Sequence, residues 1–494
     1  MAVVVRGWKR LTGAMAVIPL WMAAYPPCTL PTYWIALAPL MWIWRGSVSG
    51  VSIPRASLEA LSIGFAIAWM STGFVRDAIP VRAELAQAIG CVLFGCQFIP
   101  LAICARLLAG WSIYLGAICC SAIAVAAEVI QARLGVAWSV LSLCLPAAPS
   151  PVAQWAHYIT PFGVSGILYV ANFICMPDLE RAGWRRLVPV FGWLSVVGLA
   201  TEGGLLIAAR VEPRPLTFSA MLIQPHVRAG ERSGQKCAQA LDRLTRAALQ
   251  TRVPVDLIVW PETALAPSVE TAEQPGSSTT GGPVDLPSFR RSVREVYRTA
   301  ALAGVTLLKQ KTEIKYGLEV PCTLQRNCAC LITPSGAQFV QEKLALFPFR
   351  EGLPSWLDEP WIRNSLNRLF GFDPTYSAGS ELRPLCFVRR DGLAATVVVA
   401  ICYESYLPWL PQFRHDRPAD AVIHLTYDGD FARHEGYATR QIWACQFRAI
   451  ETRKWNLLCT WWSGSAIIDP RGRVIRRLGS VEGVLRTDSI GEAD

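Results

Sequence analysis

Apolar residues follow two patterns along the chain, and the change falls near residue 210. Before it, long apolar runs recur at about 11–26, 30–45, 59–76, 86–106, 108–128, 156–176 and 187–209. Each is near the length a helix needs to cross ~30 Å of hydrocarbon. About seven spans are therefore expected, the first two forming a shallow hairpin around Tyr25-Pro26-Pro27, with a partial eighth element at 134–150. After residue 217 the runs shorten. Strands are predicted at 218–224, 255–260, 305–309, 328–333, 393–401, 421–426, 456–462 and 465–469. Helices are predicted at 233–251, 287–303, 406–413 and 436–452, with a Gly/Ser/Thr/Pro-rich loop at 271–285. Such alternation reads as a layered α/β domain. The expected organisation is a multi-span α-helical membrane domain over 1–210 followed by an α/β domain over 211–490.

Composition agrees with this division. The 494 residues are 52% hydrophobic and only 17% charged, against about 25% charged in soluble domains. Residues 1–210 hold 13 Lys+Arg and 7 Asp+Glu, whereas the remaining 284 hold 34 and 30. A disordered chain is excluded, and an ordinary cytosolic enzyme is not expected. The net charge of +10 is nowhere gathered into a basic stripe, so no nucleic-acid partner is expected. It reports orientation instead. Arg6, Lys9, Arg10, Arg45, Arg55, Arg106, Arg181, Arg185 and Arg186 flank one side of the expected spans, and only Arg76, Arg82 and Arg133 the other. An inside N-terminus follows, with residue 211 delivered to the outer face. The basic start runs on into further spans, so a cleaved signal peptide is not expected. Glu128 and Glu202, near span ends, read first as solvated loop residues.

Three places in the second segment put reactive residues directly after apolar strands. Asp256-Leu-Ile-Val-Trp260 runs into Pro261-Glu262, and proline ends a central strand there. Lys343, the only lysine between residues 316 and 453, precedes Leu346-Phe347-Pro348-Phe349-Arg350-Glu351. A run from Ala395 to Ile401 leads to Cys402-Tyr403-Glu404. A thiol on a tight strand-to-helix turn can attack a carbonyl while a backbone N–H faces the oxyanion. A desolvated carboxylate can take and return the thiol proton, and an ammonium can hold the developing negative charge. Of the 16 cysteines, eight fall in each segment. Those in the spans read as small packing residues. No paired CxxC spacing suggests a metal centre, and Cys322, Cys328 and Cys330 are candidates for a disulfide.

At these residues the sequence resembles the nitrilase, or carbon-nitrogen hydrolase, superfamily. With its multi-span start it more closely resembles the apolipoprotein N-acyltransferases. Trp260-Pro261-Glu262-Thr263-Ala264 matches that family's Trp-Pro-Glu-(Ser/Thr)-Ala. Lys343, Leu346, Pro348, Phe349 and Glu351 fall in register with Tyr-x-Lys-x-His-Leu-Val-Pro-Phe-Gly-Glu, and Ile401-Cys402-Tyr403-Glu404 with Ile-Cys-Tyr-Glu. Arg448-Ala449-Ile450-Glu451 and Ile468-Asp469-Pro470-Arg471-Gly472 resemble its downstream blocks. The chain also departs from the pattern. Gln341 stands for Tyr, Ala345 for His and Arg350 for Gly, and Tyr427-Asp428-Gly429-Asp430-Phe431 replaces Asn-Asp-Ala-Trp-Phe. The family's Trp after the first strand is missing from Gln224-Pro225-His226, and its final span has no counterpart in the polar residues 489–494.

The resemblance implies an α-β-β-α sandwich and a two-step acyl transfer without metal or organic cofactor. Cys402 would take an acyl chain from a phospholipid donor as a thioester and pass it to the N-terminal amine of a diacylglyceryl apolipoprotein. Glu262 would serve as base and acid, and Lys343 with the Tyr403 N–H would hold the oxyanion. Glu351 would orient Lys343 or assist proton transfer, and Glu404 would support the turn. A monomer in the bacterial inner membrane, with the globular domain on the periplasmic side, is the implied setting. The alternatives are a membrane-tethered carbon-nitrogen hydrolase, such as a conjugal-transfer-type paralogue, and an idle scaffold. The apolar side chains of 352–371, Trp356 and Trp361 among them, read either as a lid dipping into lipid or as an ordinary packed helix.

Overall fold

The structure, a computed structural model, describes residues 32–35, 37–38, 52–71, 82–134, 143–175, 187–212, 214–227, 234–251, 253–265, 268–269, 286–315, 318–371, 376–416, 418–431 and 435–487. It divides into two compact units, Met1–Glu212 with Leu369–Gly371, and Pro213–Arg368 with Phe372–Asp494.

The first unit is helical. Its helices are α1 (Ile53–Ser71), α2 (Ala83–Cys96), α3 (Phe98–Leu107), α4 (Ile113–Leu134), α5 (Ala156–Ile174) and α6 (Val188–Ala209). Helices α2 and α3 run together as Ala83–Leu107. With α4 and α6 they make three helices, among the described residues, long and apolar enough to cross a membrane. The stretches 59–76 and 156–176 fall largely on α1 and α5. Within α5, Thr160 leaves helical geometry at φ 62° and ψ 168°, because Pro161 bars its predecessor from the helical region. The expected span 11–26, most of 30–45, Tyr25-Pro26-Pro27 and the basic residues 6–10 lie outside the described residues. Where a partial element was expected at 134–150, residues 143–150 form turns around a 3-10 helix, Leu145–Ala147. Several polar groups between the helices find internal partners, as an apolar surround favours. Asn172 Nδ2 donates to Tyr33 O (2.8 Å), and its Oδ1 accepts from Leu37 N (2.7 Å). Glu128 is buried and accepts from Tyr169 Oη (2.9 Å) and Leu143 N (3.2 Å), whereas Glu202 is exposed.

The second unit is a four-layer sandwich. One sheet has the order β13-β1-β2-β4-β5-β6, formed by Gly483–Arg486, Ala220–Gln224, Leu257–Val259, Ala300–Lys315, Leu318–Ile332 and Gln338–Glu342. The short β3, Ser268–Val269, pairs with β4. The other sheet has the order β12-β11-β10-β9-β8-β7, formed by Val474–Arg477, Ala466–Ile468, Trp455–Thr460, Ala421–Thr426, Ala394–Ile401 and Leu385–Val388. In each sheet the central strands are parallel: β1, β2 and β4 in the first, β8, β9 and β10 in the second.

Strand alternation sorts side chains into the layers. Leu222, Leu257, Val259, Leu302 and Leu331 meet Val397, Val399, Ile423, Leu425 and Leu457 between the sheets. Met221, Ile258, Ala301 and Cys330 face the other way, toward Leu241 of α7 (Gly234–Leu249) and Phe289 of α8 (Leu286–Arg291). Behind the second sheet, Leu458, Ala466 and Ile468 pack on Ile442, Cys445 and Ala449 of the last helix, Glu435–Thr452.

Two predicted helices are corrected here. The stretch 287–303 is helical only to residue 297 and is strand from Ala300, although Ala300-Ala301-Leu302-Ala303 has strong helix propensity. Burial on both faces of a central strand outweighs a few tenths of a kcal/mol per residue. The stretch 406–413 is not a helix. It is split between two 3-10 helices, Cys402–Tyr406 and Pro411–Phe413, as Pro408 and Pro411 require. Residues 360–370 form a helix, α9 (Pro360–Phe370), beside which Trp356 and from which Trp361 are solvent-exposed. Cys328 and Cys330 are both reduced and buried, and the side chain of Cys322 lies outside the described ones.

Candidate active site

The singled-out residues stand where strands end. Glu262 lies three residues beyond β2, and Lys343, Cys402 and Tyr427 directly follow β6, β8 and β9. Pro261 stops β2, and Gly304 of β4 lets the turn pass close by. A Cβ at Gly304 would meet Thr263 N at 2.4 Å and Glu262 Cα at 2.5 Å, so only glycine fits. Thr263 itself is left-handed, φ 48°.

Lys343 is 1% exposed, and its Nζ lies 2.7 Å from Glu351 Oε2 and 3.4 Å from Glu262 Oε1. Both carboxylates are held further. Asn327 Nδ2 donates to Glu262 Oε1 (2.7 Å) and to Glu351 Oε1 (2.8 Å). Tyr427 N donates to Glu262 Oε2 (2.7 Å), and Phe347 N donates to Glu351 Oε2 (2.7 Å). Trp461 Nε1 donates to the Glu262 carbonyl (2.6 Å). Burial works against the Lys343 ammonium, but the charges of Glu351 and Glu262 outweigh it and raise its pKa. Burial likewise opposes the Glu351 carboxylate, and Lys343 beside it more than compensates, lowering its pKa. A cation thus sits between two anions with almost no water.

Cys402 is buried and left-handed, φ 54°, a conformation that is strained for any residue with a Cβ. Burial raises its thiol well above the ordinary value, and the neighbouring Glu262 adds to this while Lys343 opposes it. The resting sulfur is therefore protonated, beside the Glu262 carboxyl.

The strained turn is held by backbone groups. Glu404 Oε2 accepts from Ile401 N (2.7 Å), and its Oε1 accepts from Leu344 N (2.5 Å) and Ala345 N (3.1 Å). One carboxylate thereby joins the Cys402 turn to the segment after Lys343. Burial pushes its carboxyl up to about 7 against those three donors. Below the turn, Gln441 Nε2 donates to Cys402 O (3.4 Å), Ser405 Oγ (3.1 Å) and Thr426 Oγ1 (3.2 Å). Ser405 Oγ also contacts His424 Nδ1 (2.8 Å), whose Nε2 meets Asn456 Oδ1 (2.7 Å). Because Oδ1 can only accept, Nε2 carries the proton. Burial depresses this histidine to about 4, so it is neutral. Tyr403 packs edge-on to Phe347, with ring centroids 5.3 Å apart.

The structure brings Glu262, Lys343, Glu351 and Cys402 together and puts Tyr403 and Glu404 in the turn itself. Asn327, Gly304, Gln441 and His424 were not legible as site residues. Asn327 carried one signal, being the polar residue that opens the apolar stretch 328–332. Among the described residues no cluster of His, Cys, Asp and Glu could hold a metal ion.

Comparison with known proteins bears on the same segment. The carbon-nitrogen hydrolase family model matches residues 223–488. The apolipoprotein N-acyltransferase of Rhodopseudomonas palustris is 26% identical over 516 aligned positions, covering 97% of this chain and 89% of that protein. Apolipoprotein N-acyltransferase 2 of Treponema denticola is 26% identical over 272 positions, 54% of this chain and about half, 48%, of that one. Among solved structures, Saccharomyces cerevisiae Nit3, a member of branch 10 of the nitrilase superfamily, aligns over 55% of this chain and 88% of its own at 14% identity and a TM-score of 0.37. With more than half its length matched by the family model, the chain belongs to the carbon-nitrogen hydrolase family.

Proposed function

We propose that this protein is a membrane-bound N-acyltransferase that moves a phospholipid acyl chain through a thioester on Cys402 to the N-terminal amine of a diacylglyceryl apolipoprotein. The observation that carries the reading is the buried Lys343, shared by Glu351 at 2.7 Å and Glu262 at 3.4 Å, beside a strained, protonated Cys402. Apolar helices long enough to cross a membrane, and relatives named as N-acyltransferases, favour a lipid donor over a small amide.

In the first step the Cys402 Sγ–H proton passes to Glu262 as sulfur attacks the ester carbonyl. Lys343 and the Tyr403 N–H hold the oxyanion, a donor of this kind being worth ~3–4 kcal/mol. Collapse breaks the ester C–O bond, and Glu262 returns the proton to the departing lysophospholipid alkoxide. In the second step the lipoprotein amine attacks the thioester, Glu262 accepts its proton, and the C–S bond breaks to leave an amide. The proton then returns to sulfur. Glu351 keeps Lys343 in place, and Glu404 keeps the turn. The globular unit works on the outer face of the bacterial inner membrane.

Purified protein given labelled phospholipid should form an adduct that hydroxylamine releases and that Cys402→Ala abolishes. A wild-type protein that forms no such adduct but hydrolyses small amides would sink the transferase reading and favour the hydrolase chemistry of the family. Tags at residues 1 and 494 test the orientation, which fails if residue 494 is cytoplasmic.

A further inference from the structure

Arg350 and Asp430 form an ion pair at the solvent edge of the site, with side chains 36% and 11% exposed. Arg350 belongs to a tight turn in which Arg350 N (3.3 Å) and Glu351 N (3.0 Å) both donate to Phe347 O, and Phe349 N donates to Gly352 O (2.9 Å). Phe349 in this turn is left-handed at φ 60°, so the turn carries strain of its own. The next residue, Glu351, is the carboxylate nearest Lys343. Asp430 sits in a 3-10 helix, Gly429–Phe431, on a loop whose first N–H, from Tyr427, holds Glu262. That loop is anchored behind the site by Asp428, which accepts from Trp461 N (2.9 Å), Trp462 N (2.7 Å) and Ser463 N (2.9 Å). The pair therefore runs from a strained turn to an anchored loop, and each carries a support of one of the two anions on Lys343. Arg350 and Asp430 are also two positions at which the chain departs from the pattern it resembles.

We infer that the Arg350–Asp430 pair is a positioning cross-tie that sets the separation of Glu351 and Glu262 about Lys343, and through them the reactivity of Cys402. The inference rests on the proposed reading only in taking Cys402 as the reacting group. With its arginine a third exposed, the pair adds only modestly to stability, and its main effect is expected on rate. Displacement of positioned groups by even 1 Å costs up to about 100-fold, and a turn still held by its own hydrogen bonds moves less.

The test is the rate of Cys402 alkylation by iodoacetamide in the full-length protein, read by mass spectrometry of the peptide that carries it, with Cys402→Ala as blank. Arg350→Ala and Asp430→Ala should each slow alkylation about 5- to 10-fold, with the unfolding midpoint unchanged. The double variant should be no slower than either single one, and the reversed pair Arg350→Asp/Asp430→Arg should recover most of the rate. Single variants that react like wild type, losses that multiply in the double variant, or a reversed pair that recovers nothing would overturn the inference. Alkylation needs no acyl donor. A wild type that forms no acyl thioester thus defeats the proposed function alone, whereas unchanged alkylation defeats the cross-tie alone.

Discussion

On the first sheet the site is built from side-chain charge, with Lys343 between Glu351 and Glu262 and Asn327 bridging the two carboxylates. On the second sheet it is built around a left-handed Cys402, with Ile401 N on one oxygen of Glu404, two main-chain N–H groups from the segment after β6 on the other, and neutral Gln441, Ser405 and His424 beneath. The difference follows from what each half must do. In the proposed reaction the first half accepts and returns a proton and meets a developing oxyanion, which only charges in a dry site do strongly. The second must keep one sulfur at one place in an unfavourable backbone conformation. Main-chain N–H groups on Glu404, whose carboxyl burial raises to about 7, and the neutral groups beneath do that with little added charge beside the thiol. Rate should therefore be most sensitive to changes in the charged half, and stability to changes in the backbone half.

The hardest test of that division is Lys343→Met, which keeps the volume and removes the cation. The rate of thioester formation at Cys402 should fall about 1,000-fold, the upper range for losing one oxyanion donor. A loss under tenfold would mean that backbone groups alone hold the oxyanion, and the division would collapse.

Next in size is Glu404→Ala, on the other side of the comparison. It strands the N–H groups of Ile401, Leu344 and Ala345. Buried donors left unpaired cost about 1–3 kcal/mol each, and the opened space admits water to some of them. A loss of about 3 kcal/mol is expected in denaturant unfolding of the globular unit. A variant as stable as wild type would show that the turn holds itself.

The charged site residues were legible beforehand for reasons that Asn327 and Gln441 lack. Glu262 and Cys402 each come at the end of an apolar run, so a reactive side chain stands out there against its neighbours, and Lys343 stands out as the only lysine between residues 316 and 453. The two-sheet architecture was legible too, because its central strands are short apolar runs. The edge strands β6, β7, β12 and β13 were not, since half-exposed edges lack that contrast. Asn327 lies inside a long strand, and its importance comes from the register that carries it to the mouth of the sandwich. Gln441 lies on a helix 39 residues beyond the cysteine whose carbonyl it meets. Neither relation has a local signature, because both are set by how the layers stack.

The smallest effect gives the cleanest separation of the two halves, because they respond to acid in different windows. His424 is neutral and fully buried, with its pKa depressed to about 4, against ~6.5 in an unfolded chain. Between those values the unfolded chain binds a proton that the folded one does not. The stability this group contributes is therefore complete above about pH 6.5 and is lost as pH falls toward 4. At pH 5 the loss reaches about 2 kcal/mol. Glu351 also has a lowered pKa, held down chiefly by Lys343 against its burial. Its contribution is present above the ordinary carboxylate range and is lost only below about pH 4.5. Unfolding midpoints of wild type and His424→Gln, measured from pH 7 to pH 5, should therefore diverge. The wild type should lose about 2 kcal/mol more than the variant over that interval, the gap should widen by about 1 kcal/mol more toward pH 4, and the two curves should fall together only below that. Parallel curves from pH 7 to 5 would show that His424 has no part in the acid response of the fold, and the division into two windows would fail.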